Sequence, residues 1–373
     1  MVCAGIELWQ VLGALGVGMD FEPLRHAAQA LLRGESVFGD PLFVYPPTAA
    51  LLLLPTAIGG EMVAFACWVI IGAAGLGLAG WLVCWTAVPR HRPYVAGLAL
   101  LTLLGGLVAH RSLFLGNMSE VLVPLAVGVL LAFQRGRWTL GCALLALSLL
   151  IKPLLAPLLL VPVLHGRRRE LARTMLPAGI LLVVAILAVP GGRHFPEVLR
   201  YCLAGTNLHG GNAVNNLSLR GWAEGQHAPP ALGVVASVLV VLVVTARIAG
   251  AWRAGGRPSP VWLGNVLLLG VFLAGAISEV HFLLVTIATT LLYLAGQHRP
   301  PRDWLMFLPG LALLGLPSAY PALLLGPGDD GQSWLVCGEL FLFLALVLTT
   351  TQDRAPQPLA PLVEPPMLSA AVA

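Results

Sequence analysis

Apolar residues run through this chain in long unbroken stretches, and charges sit almost entirely between them. A stretch without periodic polar positions predicts a helix that is hydrophobic all round, suited to lipid or to the centre of a bundle. Twelve candidate spans follow: 1–18, 62–87, 94–109, 119–133, 138–151, 154–164, 174–190, 231–249, 261–277, 280–295, 304–324 and 334–351. A full crossing takes roughly 20 residues. Several of these runs are shorter, which predicts broken or tilted helices. Residues 1–18 are barely long enough and Glu7 interrupts them, so a truncated start would explain them too. They lack the basic leader of a cleavable signal peptide.

Two segments depart from the pattern. Phe21, Leu24, Ala28, Leu31 and Leu32 share one helical face, with Arg25, Gln29 and Arg33 elsewhere. That predicts a helix lying in the interface plane. Residues 47–58 would reach only about 18 Å as a helix, short of a ~30 Å hydrocarbon core, and read as a re-entrant or interfacial piece.

Composition removes the soluble alternative. The 373 residues are 58% hydrophobic and 10% charged, where a soluble domain carries about 25% charge. The fold class is an all-α polytopic membrane protein. Period-2 stretches fit for an outer-membrane barrel are absent from the sequence. The net charge of +4 is spread over loops and forms no nucleic-acid patch. The six cysteines show no Cys-x-x-Cys spacing, and neither a disulfide nor a metal site is expected of them.

Charge also sets orientation. Arg90 and Arg92, Arg135 and Arg137, Arg167 to Arg169 with Arg173, Arg247 with Arg253 and Arg257, Arg299 with Arg302, and Arg354 fall in every second loop. Those loops read as cytoplasmic. Asp20, Glu22, Glu35, Asp40, Glu120, Glu197, Glu224, Asp329 and Asp330 fall in the alternate, exterior ones. The parity closes with both termini inside. Residues 1–353 then form one transmembrane domain with exterior loops at 19–61 and 191–230, and 354–373 form a Pro-rich disordered cytoplasmic tail.

Lys152 is the only lysine, and it sits in the apolar run Leu149-Leu150-Ile151-Lys152-Pro153-Leu154-Leu155. A cation at that depth costs about 3 kcal/mol. Pro153 beside it breaks the helix ladder. A buried acid partner would explain the lysine, but no carboxylate lies at helical spacing, so an anion-binding cavity is favoured.

Asp20 stands at the exterior end of the first span, where a low-dielectric wall suits a general base; a solvated loop aspartate would look the same. Tyr45-Pro46-Pro47 opens the re-entrant piece, or simply starts a helix. His110, Arg111, Gly116, Asn117, Ser119 and Glu120 cluster at one helix junction, as a ligand-binding turn or a plain polar one. The amide-rich and glycine-rich stretch 205–222, ending at Trp222, could line a sugar site or be an ordinary loop. His281, after Ser278 and Glu279, would join Lys152 and Arg220 in a cationic phosphate pocket, or stand as a satisfied interfacial residue. No Walker loop, dinucleotide fingerprint or zinc spacing appears, so an activated donor would have to be lipid-borne.

These residues, in this order, resemble glycosyltransferase family 87, the bacterial GT-C-type transferases that use polyprenyl-phosphate sugars. The likeness is carried by Asp20-Phe21, Ala27 to Gly34, Phe43-Val44-Tyr45-Pro46-Pro47, Lys152-Pro153, Asn216-Leu217-Ser218-Leu219-Arg220-Gly221, and Ser278 with His281. Gly116-Asn117-Met118-Ser119 departs from the family's Gly-Gln-x-Asn, and Ser278-Glu279 with a single histidine from its Ser-Pro and His pair.

The resemblance implies a GT-C-type bundle of about 12 transmembrane helices in a bacterial cell membrane, with its active site outside. It implies Asp20 as catalytic base, and Lys152, Arg220 and His281 holding the donor phosphate. Tyr45, Asn117, Asn216 and Ser218 would contact sugar or acceptor. No metal and no further cofactor are implied. The partners would be a polyprenyl-phosphate sugar and an envelope glycolipid or glycan acceptor, with no nucleic acid. Mannose is the leading sugar; arabinofuranose is the alternative. A transporter or flippase for a lipid-linked solute would also account for broken helices and a buried lysine, but it predicts internal repeats, which the sequence does not display.

Overall fold

The computed structural model describes residues 17–204, 216–254, 256–276, 278–296, 301–315 and 332–349. Among them all regular structure is helical. Helix α1 (Phe21–Arg33) ends at Gly34 and packs against α2 (Pro47–Leu52) and a 3-10 turn, Leu54–Ala57. Then come α3 (Glu61–Thr86), α4 (Arg92–Leu103), α5 (Leu107–Leu115), α6 (Ser119–Gln134) and α7 (Trp138–Ile151). A 3-10 run, Pro153–Leu159, leads into α8 (Leu160–Leu164). The chain continues through α9 (Arg168–Ala188), α10 (Phe195–Ala204), α11 (Leu219–Gly225), α12 (Pro230–Arg253), α13 (Pro260–Ala274), α14 (Leu283–Ala295), α15 (Pro301–Gly315) and α16 (Gln332–Leu348).

The centre is made of helices that are apolar on every side. All residues of α14 and nearly all of α13 are buried, as all-round hydrophobicity requires. Helix α6 packs on α3, α7, α13 and α14. It comes so close to α3 that a Cβ on Gly75 would lie 2.9 Å from the Glu120 carbonyl oxygen. One polar knot fixes the register of α13 on α14. The Asn265 amide donates to the Thr289 carbonyl (2.9 Å) and accepts from the Thr289 hydroxyl (2.8 Å). Such interhelical bonds count where water is scarce.

Helices α9 and α12 form the outside. Only 6% and 11% of their most apolar windows are covered by protein. Leu176, Ile180, Val184 and Leu187 on α9, and Val234, Val238 and Leu242 on α12, are exposed. Apolar area on this scale belongs against lipid.

Twelve crossings were expected. Among the described residues, three helices (α3, α9 and α12) are long and apolar enough to cross alone, and the bent pair 89–103 and 108–115 could act as a fourth. The remaining apolar helices are shorter. Helix α7, with 14 residues, rises about 21 Å before Lys152-Pro153 ends it. Span 1–18 falls almost wholly, and 304–324 partly, outside the described residues, as does the tail.

The segment at 47–58 is broken as its length implies. Helix α2 stops after six residues, and Pro55 sits in the turn that follows. The Thr48 hydroxyl donates to the Leu150 carbonyl, tying α2 to the end of α7. Helix α1 differs from the expected interfacial helix. Phe21, Leu24 and Ala28 are covered by the protein itself, while Leu32 is exposed. Arg25, expected away from the apolar face, is buried as well. Its guanidinium donates to the carbonyls of Thr56 (2.5 Å) and Gly59 (2.9 Å), groups that the end of the 3-10 turn leaves without partners. A cation clamping two carbonyls offsets its own burial.

The loops sort by charge. At one end of α6, the loops carrying Arg135, Arg137, Arg167 and Arg257 meet around His165, whose ring packs on Trp138 (5.1 Å) and Trp252 (5.8 Å) and bonds the Pro258 carbonyl (3.1 Å). Asp20, Asn117, Lys152 and His281 gather at the other end of the same helix. Sixteen residues of α6 separate the two by about 24 Å.

A photoactivated carbene reagent partitioned into the bilayer should therefore label α9 and α12 heavily and spare α13 and α14. Equal labelling of all four, read by peptide mass spectrometry, would contradict this arrangement.

Candidate functional site

Four chain breaks build the site. The first is the junction between α5 and α6. Gly116 closes α5 at φ +73°, and a Cβ there would lie 2.8 Å from that of Phe21. Only glycine lets the turn pass this close to the start of α1. The contact is fixed by backbone bonds from Gly18 N to the Phe114 carbonyl and from Asp20 N to the Leu115 carbonyl, both 2.9 Å. The Trp68 indole holds the Gly116 carbonyl at 2.9 Å. Asp20 is thereby set against Asn117.

The second break is Lys152. It ends α7 in an extended conformation (φ −154°, ψ 128°), the region that a following proline imposes. The side chain leaves the helix direction and reaches the α5–α6 junction. The third is the 3-10 turn Val280–Phe282 ahead of α14, which carries His281. The fourth is the entry to α2, where Tyr45 precedes two prolines.

The side chains form one line of contacts. The Asn117 amide donates to Asp20 Oδ2 at 2.7 Å. Its Oδ1 accepts from the Ser119 backbone N–H (3.0 Å) and hydroxyl (2.9 Å), which fixes the amide's orientation. The same Oδ1 faces Lys152 Nζ at 3.4 Å, and the Ser119 hydroxyl faces it at 3.4 Å. Nζ lies 3.2 Å from His281 Nε2, and that nitrogen lies 2.6 Å from Glu279 Oε2. The rings of Phe282 (4.8 Å) and Tyr45 (5.3 Å) present faces to the ammonium, an attraction of about 0.5–2 kcal/mol each.

Among the described residues no carboxylate touches Lys152. Asp20 and Glu279 each stand one side chain away, behind Asn117 and His281. The 2.6 Å contact favours the tautomer in which His281 Nε2–H donates to the Glu279 carboxylate. Among the described residues the ammonium is then left with two side-chain oxygens as acceptors, both at 3.4 Å. Burial alone would push the Glu279 carboxyl up. The charge and hydrogen bond of His281 outweigh it, with Lys152 adding to them, and hold it down at about 2. Glu279 is thus a carboxylate across the working pH range.

Of the residues expected at the site, Asp20, Asn117, Lys152, His281 and Tyr45 come together, and Tyr45 meets the ammonium with its ring face. Three do not. Arg220 lies on the exposed side of α11, paired with Glu224 at 3.0 Å; the i,i+4 spacing supplies a nearer partner than the cluster. Ser218 caps α11, accepting from Gly221 N at 3.1 Å. Asn216 is a clamp. It donates to the Ala276 carbonyl (2.8 Å) and accepts from Ser278 N (2.8 Å), holding the loop that carries Glu279 and His281. Trp222 is tied to Ser333 by its indole N–H (3.1 Å). Residues 205–215 lie outside the described ones.

Glu120 was expected in an exterior loop. It is 1% exposed in the first turn of α6, where it accepts from the Ser112 hydroxyl. The roles of Glu279 and Phe282 were not readable from spacing, since both act across the fold. Glu339, fully buried on α16 with neither oxygen partnered among the described residues, was missed as well. No group of three or more metal-ligating side chains stands together among the described residues.

Comparison with known proteins bears on this site. The model of glycosyltransferase family 87 matches residues 43–278, which takes in Tyr45, Asn117 and Lys152 and stops just short of His281. The chain is also similar to an α-(1→3)-arabinofuranosyltransferase of Corynebacterium glutamicum, with 24% identity over 303 residues, 76% of this chain and 69% of the relative. No solved structure matches. The match covers more than half of the chain, and a bundle of apolar helices with a polar site at its helix breaks fits it: the chain belongs to glycosyltransferase family 87.

Proposed function

We propose that this membrane glycosyltransferase moves a sugar from a polyprenyl-phosphate donor to a hydroxyl of an envelope glycolipid or glycan, on the extracytoplasmic side and with inversion. The observation that carries the reading is the Lys152 ammonium. It is set among polar side chains and ring faces without a carboxylate in contact, and joined through Asn117 to Asp20. A cation so placed has attraction left for an anion from outside the protein.

In this reading Asn117 holds Asp20 Oδ2, and Oδ1 takes the proton of the acceptor hydroxyl. The acceptor oxygen bonds to the anomeric carbon as the bond from that carbon to the phosphate oxygen breaks. The departing phosphate keeps the bonding pair and gains one negative charge. Lys152 meets that charge, with His281 beside it, and Glu279 orients the ring. One displacement turns a β-linked donor into an α-linked product. The polyprenyl chain needs no soluble site, since exposed apolar helices let it stay in lipid.

Mannose was the leading sugar from the sequence. The relative's name gives arabinofuranose equal standing. Purified protein offered synthetic polyprenyl-phosphate mannose and polyprenyl-phosphate arabinofuranose, with linkage analysis of the product, decides between them; transfer from neither would sink the reading.

Asp20→Asn keeps shape and removes the base. Its kcat should fall by a factor on the order of 10²–10⁴, with the donor KM little changed. Transfer at the wild-type rate would refute the assigned role.

A further inference from the structure

A second polar concavity, with a cavity of about 480 Å³, lies on the same exterior shelf at the far end of α1 from Asp20. It is bounded by His26 and Arg33 of α1 and by Glu35, Ser36 and Asp40 of the following loop. The chemistry proposed for Asp20 does not call on these residues. We propose that it is a subsite for an oligosaccharide acceptor, taking the sugar residues that lie behind the one presented to Asp20. The proposal rests on the glycosyl-transfer reading and names its acceptor class as a glycan chain rather than a single sugar.

Exposed polar side chains of α1 lead there from the site. Glu22, His26 and Arg33 recur along the exposed side of α1, so a polar stripe starts two residues after Asp20 and ends in the concavity. Helix rise makes that path about 20 Å long. One sugar could not cover it; a chain could.

The chemistry fits a neutral polyhydroxyl ligand. His26 Nδ1 and Asp40 Oδ2 are 2.8 Å apart, and Arg33 Nε donates to Glu35 Oε2 at 2.7 Å. Exposed pairs of this kind are weak and exchange readily. Each then offers hydroxyls an acceptor and a donor side by side. An anionic group would face Glu35 and Asp40 together, with Glu22 on the approach, so the excess of acids disfavours a phosphate.

The wall is built rather than floppy. Val37 N donates to the Pro190 carbonyl at 3.0 Å, and Leu42 N to Asp40 Oδ1 at 2.9 Å. Phe38 packs on Phe43 (5.5 Å) and Phe195 (6.5 Å). Gly191, at φ +77°, leaves no room for a side chain against Ser36. A preformed pocket binds without an ordering cost.

The test uses the full chain in nanodiscs, its active donor, and synthetic α-linked mono- to tetrasaccharide acceptors of one sugar series. Wild-type KM should fall as the acceptor lengthens. Asp40→Ala and Arg33→Ala should each raise KM for the tetrasaccharide roughly tenfold or more, the worth of a hydrogen bond to a charged group. The ratio of tetrasaccharide to monosaccharide KM should rise by the same factor, and donor KM should hold. A wild-type KM indifferent to length, variants with unaltered ratios, or variants that lose both acceptors equally would overturn the proposal while leaving glycosyl transfer intact. No transfer from any donor would instead sink the underlying reading.

Discussion

An ammonium at a broken helix end in a membrane protein must be compensated, and here the compensation is incomplete. Lys152 is held by one amide oxygen, one hydroxyl and two ring faces, with both nearby carboxylates a side chain removed. A direct ion pair would have been cheaper to build and would have quenched the charge. The spacing achieved through Asn117 and His281 keeps the cation in place and leaves it attraction to spare. Much of the local architecture follows from it: Pro153 to turn the side chain out of α7, Gly116 to let α1 close on the α5–α6 junction, and Asn216 to fix the loop bearing Glu279 and His281.

The fold separates two tasks. Helices α6, α13 and α14 form a buried frame with its register pinned by Asn265 and Thr289. The breaks at Gly116, Lys152 and Val280 all open at one end of that frame, where irregular backbone is tolerated because protein and polar side chains surround it. Long outer helices leave apolar faces uncovered. In the proposed reading, the lipid-borne donor approaches from the side and meets the cation with its headgroup while its chain stays in hydrocarbon.

The sequence was most legible where the signal was chemical scarcity. A single lysine in an apolar run, one aspartate at a helix start and one histidine between spans stood out by type, and the structure brings those three together. It was least legible where placement depends on packing. Arg220 looked like part of the cationic group because it is an arginine in a polar loop, yet Glu224 one turn along captures it. Arg25 was placed off the apolar face of its helix, yet the carbonyls of Thr56 and Gly59 draw it inside. Glu120 read as a loop acid, yet the close approach of α3 at Gly75 buries it. The number of spans was hard to read for a related reason: composition counts apolar runs, whereas crossing alone requires helix length, and prolines and Lys152 cut several runs short.

The most direct test of the central claim is equilibrium binding of a short-chain polyprenyl phosphate to the purified protein in nanodiscs. The account predicts that Asp20→Asn binds it as the wild type does, and that Lys152→Met, with an unchanged thermal midpoint, binds roughly tenfold to a hundredfold more weakly. A folded Lys152→Met protein with wild-type affinity would contradict it.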